Sequence, residues 1–202
     1  MTERSAKALV LKELKRSGIA RTRDFESLGV SRKQIRRLAD KGIVERVSWG
    51  LYRRPNATLD QWHSFAEAAR RVPGGVICLL SALRFHDLTT QNPWEIWMAI
   101  EGKAWRPPRG NPPIRIVQAS GAAFREGTEK HRVGGVPVRV YGVAKTVTDC
   151  FKYRNKVGLD VALEALREAW RARRFTMEEI GRFARICRVE KVMRPYLEAL
   201  VA

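Results

Sequence analysis

Residues 31–54 constrain the fold of this chain more than any other segment, because a short basic helix there leads directly into a β-hairpin. Ser31 is a favourable N-cap residue and Gly42 is a favourable helix stop, so the sequence predicts a helix that is bounded at both ends. The pattern then changes to that of two strands, which we predict to be joined by a turn over residues 48–50. Gly50 suits the positive φ that such a turn requires.

The predicted helix has two distinct faces. Its apolar face carries small and aliphatic side chains at helical spacing: Ile35, Leu38 and Ala39. Its opposite face carries four cations and one acid: Arg32, Lys33, Arg36, Arg37 and Asp40. Because residues three and four apart share a helical face, we expect the apolar side chains to be buried and the cations to point to solvent.

Two helices are predicted before the basic helix. The first covers residues 3–16 and ends at Gly18, and the second covers residues 21–28, with Phe25 and Leu28 in the core. The order helix, helix, turn, basic helix and hairpin is that of a winged helix-turn-helix. In that fold the second helix of the turn enters the major groove of DNA, and the hairpin lies along phosphates.

The charge distribution favours a nucleic-acid partner. The chain has 39 lysine and arginine residues against 21 acidic ones, a net charge of +18, and residues 1–54 carry 15 of the basic and 6 of the acidic residues. Half of the positive excess therefore lies in about a quarter of the chain. A basic excess alone also fits an anionic membrane surface or simple solubility, but with the helix and hairpin it predicts DNA binding.

The remaining composition predicts a cytoplasmic protein without a metal or cofactor. The N-terminus has no signal-peptide core, and the longest apolar stretch, residues 76–80, is too short to cross a bilayer. Cys78, Cys150 and Cys187 are odd in number and have apolar neighbours, which indicates buried thiols in a reducing compartment. The histidines share no metal-ligand spacing with them.

The fold class predicted for the whole chain is α+β, in two domains. We place a winged helix-turn-helix DNA-binding domain at residues 1–56 and a C-terminal α/β domain at residues 57–202, whose first helix Thr58 or Asp60 would cap. The second domain is predicted to contain a small mixed sheet and to be helical at its C-terminal end.

Thr146 and Asp149 have the spacing of a capping box, which predicts that they open a helix through Tyr153. This structural role is favoured over a functional role for Asp149.

Three short motifs, together with the Arg-rich helix, resemble the AbiEi family of antitoxins and transcriptional regulators of abortive-infection toxin–antitoxin systems. They are GLYRRP at residues 50–55, SALRFHDL at residues 81–88 and AKTVTDC at residues 144–150. Their order extends the resemblance over nearly the whole chain.

The resemblance implies a function and partners. Proteins of this family are similar in binding inverted repeats in their own promoter through a winged helix and repressing the operon. Their C-terminal domain counters a nucleotidyltransferase-like toxin, as a type IV antitoxin in phage defence and without a stable complex. Neither an enzymatic activity nor a cofactor is implied.

The resemblance also implies DNA-binding residues. Those expected to read the groove are Ser31, Arg32, Lys33, Arg36 and Arg37. Those expected on the wing are Arg46, Ser48, Trp49, Arg53 and Arg54. Arg23 completes the predicted set.

Other functions fit parts of the sequence. Glu101 and Lys103 follow a strand at the spacing of half a metal-dependent nuclease site, for which Asp87 would be a distant second acid. A transcription regulator unrelated to a toxin also fits, as does an interaction protein whose basic C-terminal domain binds an acidic partner or RNA. Trp49 has two open roles, stacking against DNA or packing onto a core.

Overall fold

The computed structural model describes residues 2–55 and 61–201, and the chain divides into two compact units. The first unit consists of Met1–Pro73, Pro107–Ile114 and His131–Val138, and the second of Gly74–Arg106, Arg115–Lys130 and Arg139–Ala202. The boundary predicted between residues 56 and 57, and the predicted caps Thr58 and Asp60, lie outside the described residues. The predicted two-domain division stays a prediction.

The first unit combines helices with a small antiparallel sheet. Its elements are α1 (Glu3–Ser17), β1 (Ile19–Arg21), α2 (Thr22–Glu26), α3 (Arg32–Asp40), β2 (Glu45–Ser48), β3 (Leu51–Arg53) and α4 (His63–Arg71). β3 lies between β1 and β2 and pairs antiparallel with both. The core of the helices and sheet includes Val10, Leu14, Phe25, Ile35 and Leu38.

The prediction that Leu28 is a core residue is wrong. α2 ends at Glu26, and the chain then turns through Gly29, whose φ is +80°. The backbone N–H of Val30 donates to the carbonyl oxygen of Phe25 at 3.0 Å, and Val30 is fully buried while Leu28 is 39% exposed. The turn thus gives the core position to Val30.

The link between α1 and β1 packs against the turn of a distant hairpin. Gly18 ends α1 with φ +67°, and a Cβ atom there would overlap the carbonyl oxygen of Gly134. A Cβ atom on Gly135 would lie 3.3 Å from the carbonyl oxygen of Arg16. Backbone meets backbone at this contact, which only glycine permits.

The chain from residue 76 onward forms a five-stranded mixed sheet. Its strands are β4 (Val76–Ile77), β5 (Ile96–Glu101), β6 (Ile114–Ala119), β7 (Thr128–Val133) and β8 (Val136–Tyr141). They lie in the order β6-β5-β4-β8-β7, with β4 antiparallel to β5 and parallel to β8. The predicted mixed sheet is confirmed.

Helices occupy the C-terminal part of the chain, as predicted. The helices after β4 are α5 (Leu79–Phe85), α6 (Ala122–Arg125), α7 (Val143–Lys152), α8 (Arg154–Val157), α9 (Leu159–Arg171), α10 (Met177–Ile186) and α11 (Glu190–Val201). Within residues 2–55 and 61–201, no helix is long and apolar enough to cross a membrane.

The capping box predicted for α7 is wrong. The helix starts directly after β8, with Gly142 as its N-cap, so Thr146 and Asp149 already lie inside it. The Thr146 hydroxyl donates to the carbonyl oxygen of Tyr141 at 2.9 Å, and Asp149 forms an ion pair with Lys145 one turn earlier. Thr146 and Asp149 thus have the spacing of a capping box, but they contact Tyr141 and Lys145 instead of capping the helix.

The Lys145–Asp149 ion pair lies in the core of the second unit, where the two side chains are 1% and 7% exposed. The Lys145 Nζ lies 4.1 Å from the centroid of the Tyr141 ring, and the Asp149 carboxylate accepts a hydrogen bond from the Cys187 thiol at 3.4 Å. All three cysteines are buried and unpaired, which confirms the predicted buried thiols. Burial, and then the charge of Asp149, raises the pKa of Cys187 to about 12.

Replacing Asp149 by alanine should lower the free energy of unfolding by about 3–5 kcal/mol, because it leaves the Lys145 ammonium unpaired in the core. Urea unfolding followed by circular dichroism measures the change. The double variant Lys145→Met/Asp149→Leu removes both charges and should recover most of the loss. A double variant as unstable as Asp149→Ala would show that the unpaired charge is not the cause.

Candidate nucleic-acid interface

α3 begins with a capping box, of which only the first residue was predicted. Ser31 is the N-cap, and its Oγ accepts a hydrogen bond from the backbone N–H of Gln34 at 3.4 Å. The side-chain oxygen of Gln34 accepts in return from the backbone N–H of Ser31 at 3.0 Å. The Ser31 hydroxyl is therefore already engaged in holding the first turn of the helix.

The two faces of α3 are as predicted. Ile35 and Leu38 are 0% and 1% exposed, and Ala39 is half-buried beside them. The four cations of the opposite face are all exposed: Arg32, Lys33, Arg36 and Arg37. Arg32 forms a 2.7 Å ion pair with Glu26 of α2. Because both side chains are exposed, water weakens the attraction between their charges.

The hairpin that follows α3 has a tighter turn than predicted. The register shifts between Arg46 and Ser48, and Ser48 pairs with Leu51. The turn therefore consists of Trp49 and Gly50 alone, and Ser48 belongs to β2. The register shift before Ser48 accommodates the extra residue in that strand. Gly50 has φ +66°, as predicted.

Trp49 presents its ring to solvent at the tip of the hairpin. Its side chain is 91% exposed, and the Arg46 guanidinium lies 4.7 Å from the ring centroid. At this distance a cation–π contact holds the two side chains together. Trp49 therefore does not pack onto a core, which was one of the two roles left open for it.

The elements α2 and α3 and the hairpin line a cavity of about 700 Å³, here called the groove cavity. Its charged lining residues are Arg21, Arg23, Glu26, Arg32, Arg36, Asp40 and Arg46. Trp49, Gly50 and Tyr52 also line it. Cations thus outnumber acids by five to two, and the cavity brings together five predicted DNA-binding residues: Arg23, Arg32, Arg36, Arg46 and Trp49.

The other predicted DNA-binding residues lie outside the groove cavity. Arg53 is bound to Glu45 through two hydrogen bonds of 2.8 Å, and its side chain is 18% exposed. Arg37 lies near Glu3. The hydrogen bond between Glu3 and Lys41 lowers the pKa of Glu3, and the charge of Arg37 lowers it further. Beyond Ser31, already described, the rest are Lys33 and Arg54, which are exposed, and Ser48, which lines a second cavity.

Arg21 lines the groove cavity but is not among the residues predicted from the sequence. It is the last residue of β1 and the N-cap of α2, and its backbone N–H donates to the Asp24 carboxylate at 2.8 Å. The sequence pattern does not predict that Arg21 lines the cavity, because the position of Arg21 depends on the pairing of β1 with β3.

Of the possible nuclease residues, Glu101 and Lys103 lie at the end of β5, and Asp87 follows α5. The Glu101 carboxylate lies 3.5 Å from the Arg125 guanidinium, and Lys103 and Asp87 are exposed. Among the residues that the structure describes, no three histidine, cysteine, aspartate or glutamate side chains gather as the ligands of a metal ion would.

An exposed basic helix, a hairpin and the cavity that they line together form a surface suited to a polyanion. Residues 8–55, which include this surface, match the family model described as "Transcriptional regulator, AbiEi antitoxin". The match confirms the resemblance over this segment, whereas the motifs at residues 81–88 and 144–150 lie outside it. A search of curated proteins found no match to the chain.

The Glu45–Arg53 pair should stabilise the hairpin by about 0.5–1 kcal/mol near neutral pH. The hydrogen bond that Glu45 accepts from Arg53 lowers the pKa of Glu45. A carboxyl group whose pKa is lower in the folded protein stabilises the fold fully at pH values above its unfolded pKa of about 4.3. This stabilisation is lost as the pH falls through the pKa of the folded state. A double-mutant cycle of Glu45→Gln and Arg53→Gln, measured by urea unfolding, should show this coupling at about pH 7 and none at about pH 2. Coupling of equal size at both pH values would contradict the ion-pair assignment.

Proposed function

We propose that this protein is a DNA-binding transcriptional regulator that also serves as the antitoxin of a type IV abortive-infection system in the cytoplasm. The observation that carries the proposal is that the segment matching the antitoxin-regulator family also holds the groove cavity. Residues 8–55 contain all the residues that line this cavity. The family description and the positive surface thus coincide in one segment.

The first unit fits a winged helix-turn-helix, in which α2 and α3 are the paired helices and β2 and β3 are the wing. Gly29 provides the turn between α2 and α3, and α3 exposes its cations along one face. In this arrangement α3 enters the major groove, where Lys33 and Arg36 reach base edges. Arg46 and Trp49 of the wing lie along the backbone of the DNA.

The ion pairs and caps rank the eleven proposed contact residues. Ser31 and Arg53 are held in contacts within the protein, so we assign them mainly to positioning α3 and the wing. Arg32 shares its charge with Glu26. Arg36, which lines the groove cavity and is exposed, is the strongest candidate for specific readout.

Binding to the inverted repeats of its own promoter should depend steeply on salt. If about five cations contact phosphates, the slope of log affinity against log salt concentration should be about −4 to −5. Arg36→Gln should weaken operator binding about tenfold or more, because a bidentate contact to guanine is lost. Electrophoretic mobility shift with the promoter fragment measures both effects.

Arg4→Gln is the matched control for Arg36→Gln. Arg4 is an exposed arginine of α1 that does not line the groove cavity, and the substitution removes the same charge. A flat salt response, or equal loss in the two variants, would overturn groove reading by α3.

The antitoxin part of the proposal rests on the family description and on the resemblance of the later motifs. Those motifs supply core contacts: the Ser81 hydroxyl accepts from the backbone N–H of Trp97 at 2.9 Å, and His86 bonds the carbonyl oxygen of Tyr141 at 2.8 Å. We therefore assign them to the stability of the C-terminal domain. The activity that counters a nucleotidyltransferase-like toxin then belongs to the exposed surface of that domain, without a stable complex.

Repression and protection should separate genetically. When a nucleotidyltransferase-like gene from the same operon is expressed, the intact protein should restore growth, and Arg36→Gln should restore it equally while repressing a promoter fusion less. Colony counts and reporter activity measure the two functions. Failure of the intact protein to restore growth would leave a regulator unrelated to a toxin as the correct reading.

A further inference from the structure

A second cavity, of about 390 Å³, lies beside the hairpin and is here called the arginine pocket. All of its lining residues belong to the first compact unit. Those that carry charge or a hydroxyl are Arg21, Ser48, Arg70, Arg71 and Arg109. The apolar and backbone walls include Trp49, Leu51, Pro107 and Pro108. The volume lies within the usual range of small-molecule sites, about 300–1,000 Å³.

The wall of the arginine pocket is positively charged. Four arginines line it, and no acidic side chain is among the described residues of its wall. Two acids offset part of this charge. The Asp24 carboxylate lies 3.6 Å from the Arg70 guanidinium and accepts from the backbone N–H of Arg21, and the charge of Glu67 acts on Arg71. Burial, and then repulsion from Arg23, lowers the pKa of Arg21, and burial lowers the pKa of Arg71. An anion in the pocket would relieve both effects.

Two buried polar atoms of the pocket wall have no hydrogen-bond partner. They are the Oγ of Ser48 and the Nε of Arg70, the two such side-chain atoms found in the described part of the chain. Leaving a buried donor unsatisfied costs about 1–3 kcal/mol, so such atoms call for an explanation. Both can donate a hydrogen bond, but each has less than 1 Å² of accessible surface, so an occupant reaches them only after the side chain rotates.

Arg71 holds in place the loop of residues 107–111, which forms part of the pocket wall. Its guanidinium donates to the carbonyl oxygen of Pro108 at 2.9 Å and also to that of Pro112. A Cβ atom on Gly110 would lie 3.1 Å from the same guanidinium, so the loop follows it closely. Because the prolines restrict the backbone and Arg71 anchors it, the pocket needs little ordering when a ligand binds.

We infer that the arginine pocket binds a nucleotide, whose phosphate accepts hydrogen bonds from the guanidiniums that line the pocket and from the Ser48 hydroxyl after its side chain rotates, and whose base lies against Trp49. The guanidinium fork suits phosphate oxygens, and Trp49, which lines the pocket and is exposed, offers a stacking surface. A DNA backbone phosphate has the same chemistry, so the test must distinguish a free nucleotide from DNA.

Isothermal titration of the full chain with adenosine 5′-monophosphate, inorganic phosphate and adenosine tests the inference in the absence of DNA. The nucleotide should bind at least about tenfold more tightly than either fragment, because only the nucleotide uses both the arginines and Trp49. No binding of the nucleotide, or equal binding of phosphate alone, would overturn it. This outcome is independent of whether α3 binds an operator.

Ser48→Ala and Arg109→Gln should each weaken nucleotide binding by about tenfold, because each removes a donor to a charged group. Ser48→Ala removes an unpaired buried hydroxyl, so its melting temperature should not fall, which separates lost binding from lost folding. Arg4→Gln again serves as the charge-matched control and should leave binding unchanged.

A duplex of the promoter sequence distinguishes the two sources of phosphate. If Ser48→Ala and Arg109→Gln weaken duplex binding while the nucleotide does not bind the intact protein, the pocket holds a DNA phosphate and the inference is wrong. If the nucleotide binds and the two variants lose it, the inference stands whatever the effect on the duplex.

Discussion

Burial of Ile35 and Leu38 beneath α3 is the contact on which the candidate interface depends. Burying two such side chains stabilises the fold by about 3–6 kcal/mol, whereas an exposed ion pair contributes about 0–1 kcal/mol. Rotating α3 by one residue, about 100°, would expose them. The apolar contacts with the core, not the attraction of charges, therefore determine which cations of α3 reach solvent, and Arg36 faces the groove cavity for that reason.

The polar groups of the first unit divide into those used within the protein and those that remain open. The Ser31 hydroxyl and the Arg53 guanidinium are engaged with Gln34 and Glu45, so their contribution to any ligand passes through the position of α3 and of the hairpin. Ser48 and Arg70 differ from them, because both line the same cavity and each has one buried polar atom without a partner, although the Arg70 guanidinium also pairs with Asp24. Composition alone does not separate these two groups, since both contain arginine and serine.

Local features of this fold were predictable from the sequence, and features that depend on distant segments were not. The bounds and faces of α3 follow from Ser31, Gly42 and the helical spacing, all within a dozen residues. The helical period predicts Leu28 in the core, but the turn at Gly29 brings Val30 there instead. The spacing of Thr146 and Asp149 fits a cap, but the end of β8 places both inside α7. The arginine pocket gave no sequence signal, because residues 107–111 join Arg21 and Arg70 only through the tertiary fold.

The close approach of Gly18 to Gly134 has a consequence for the order in which the protein forms during synthesis. The first unit uses three segments of the chain, the last of which ends at Val138. Ribosomes add about 5–20 residues each second, so the segment that packs against the end of α1 is made several seconds after α4. Until then the backbone around Gly18 lacks its partner, so the first unit cannot finish folding before its last segment, which ends at Val138, has been made.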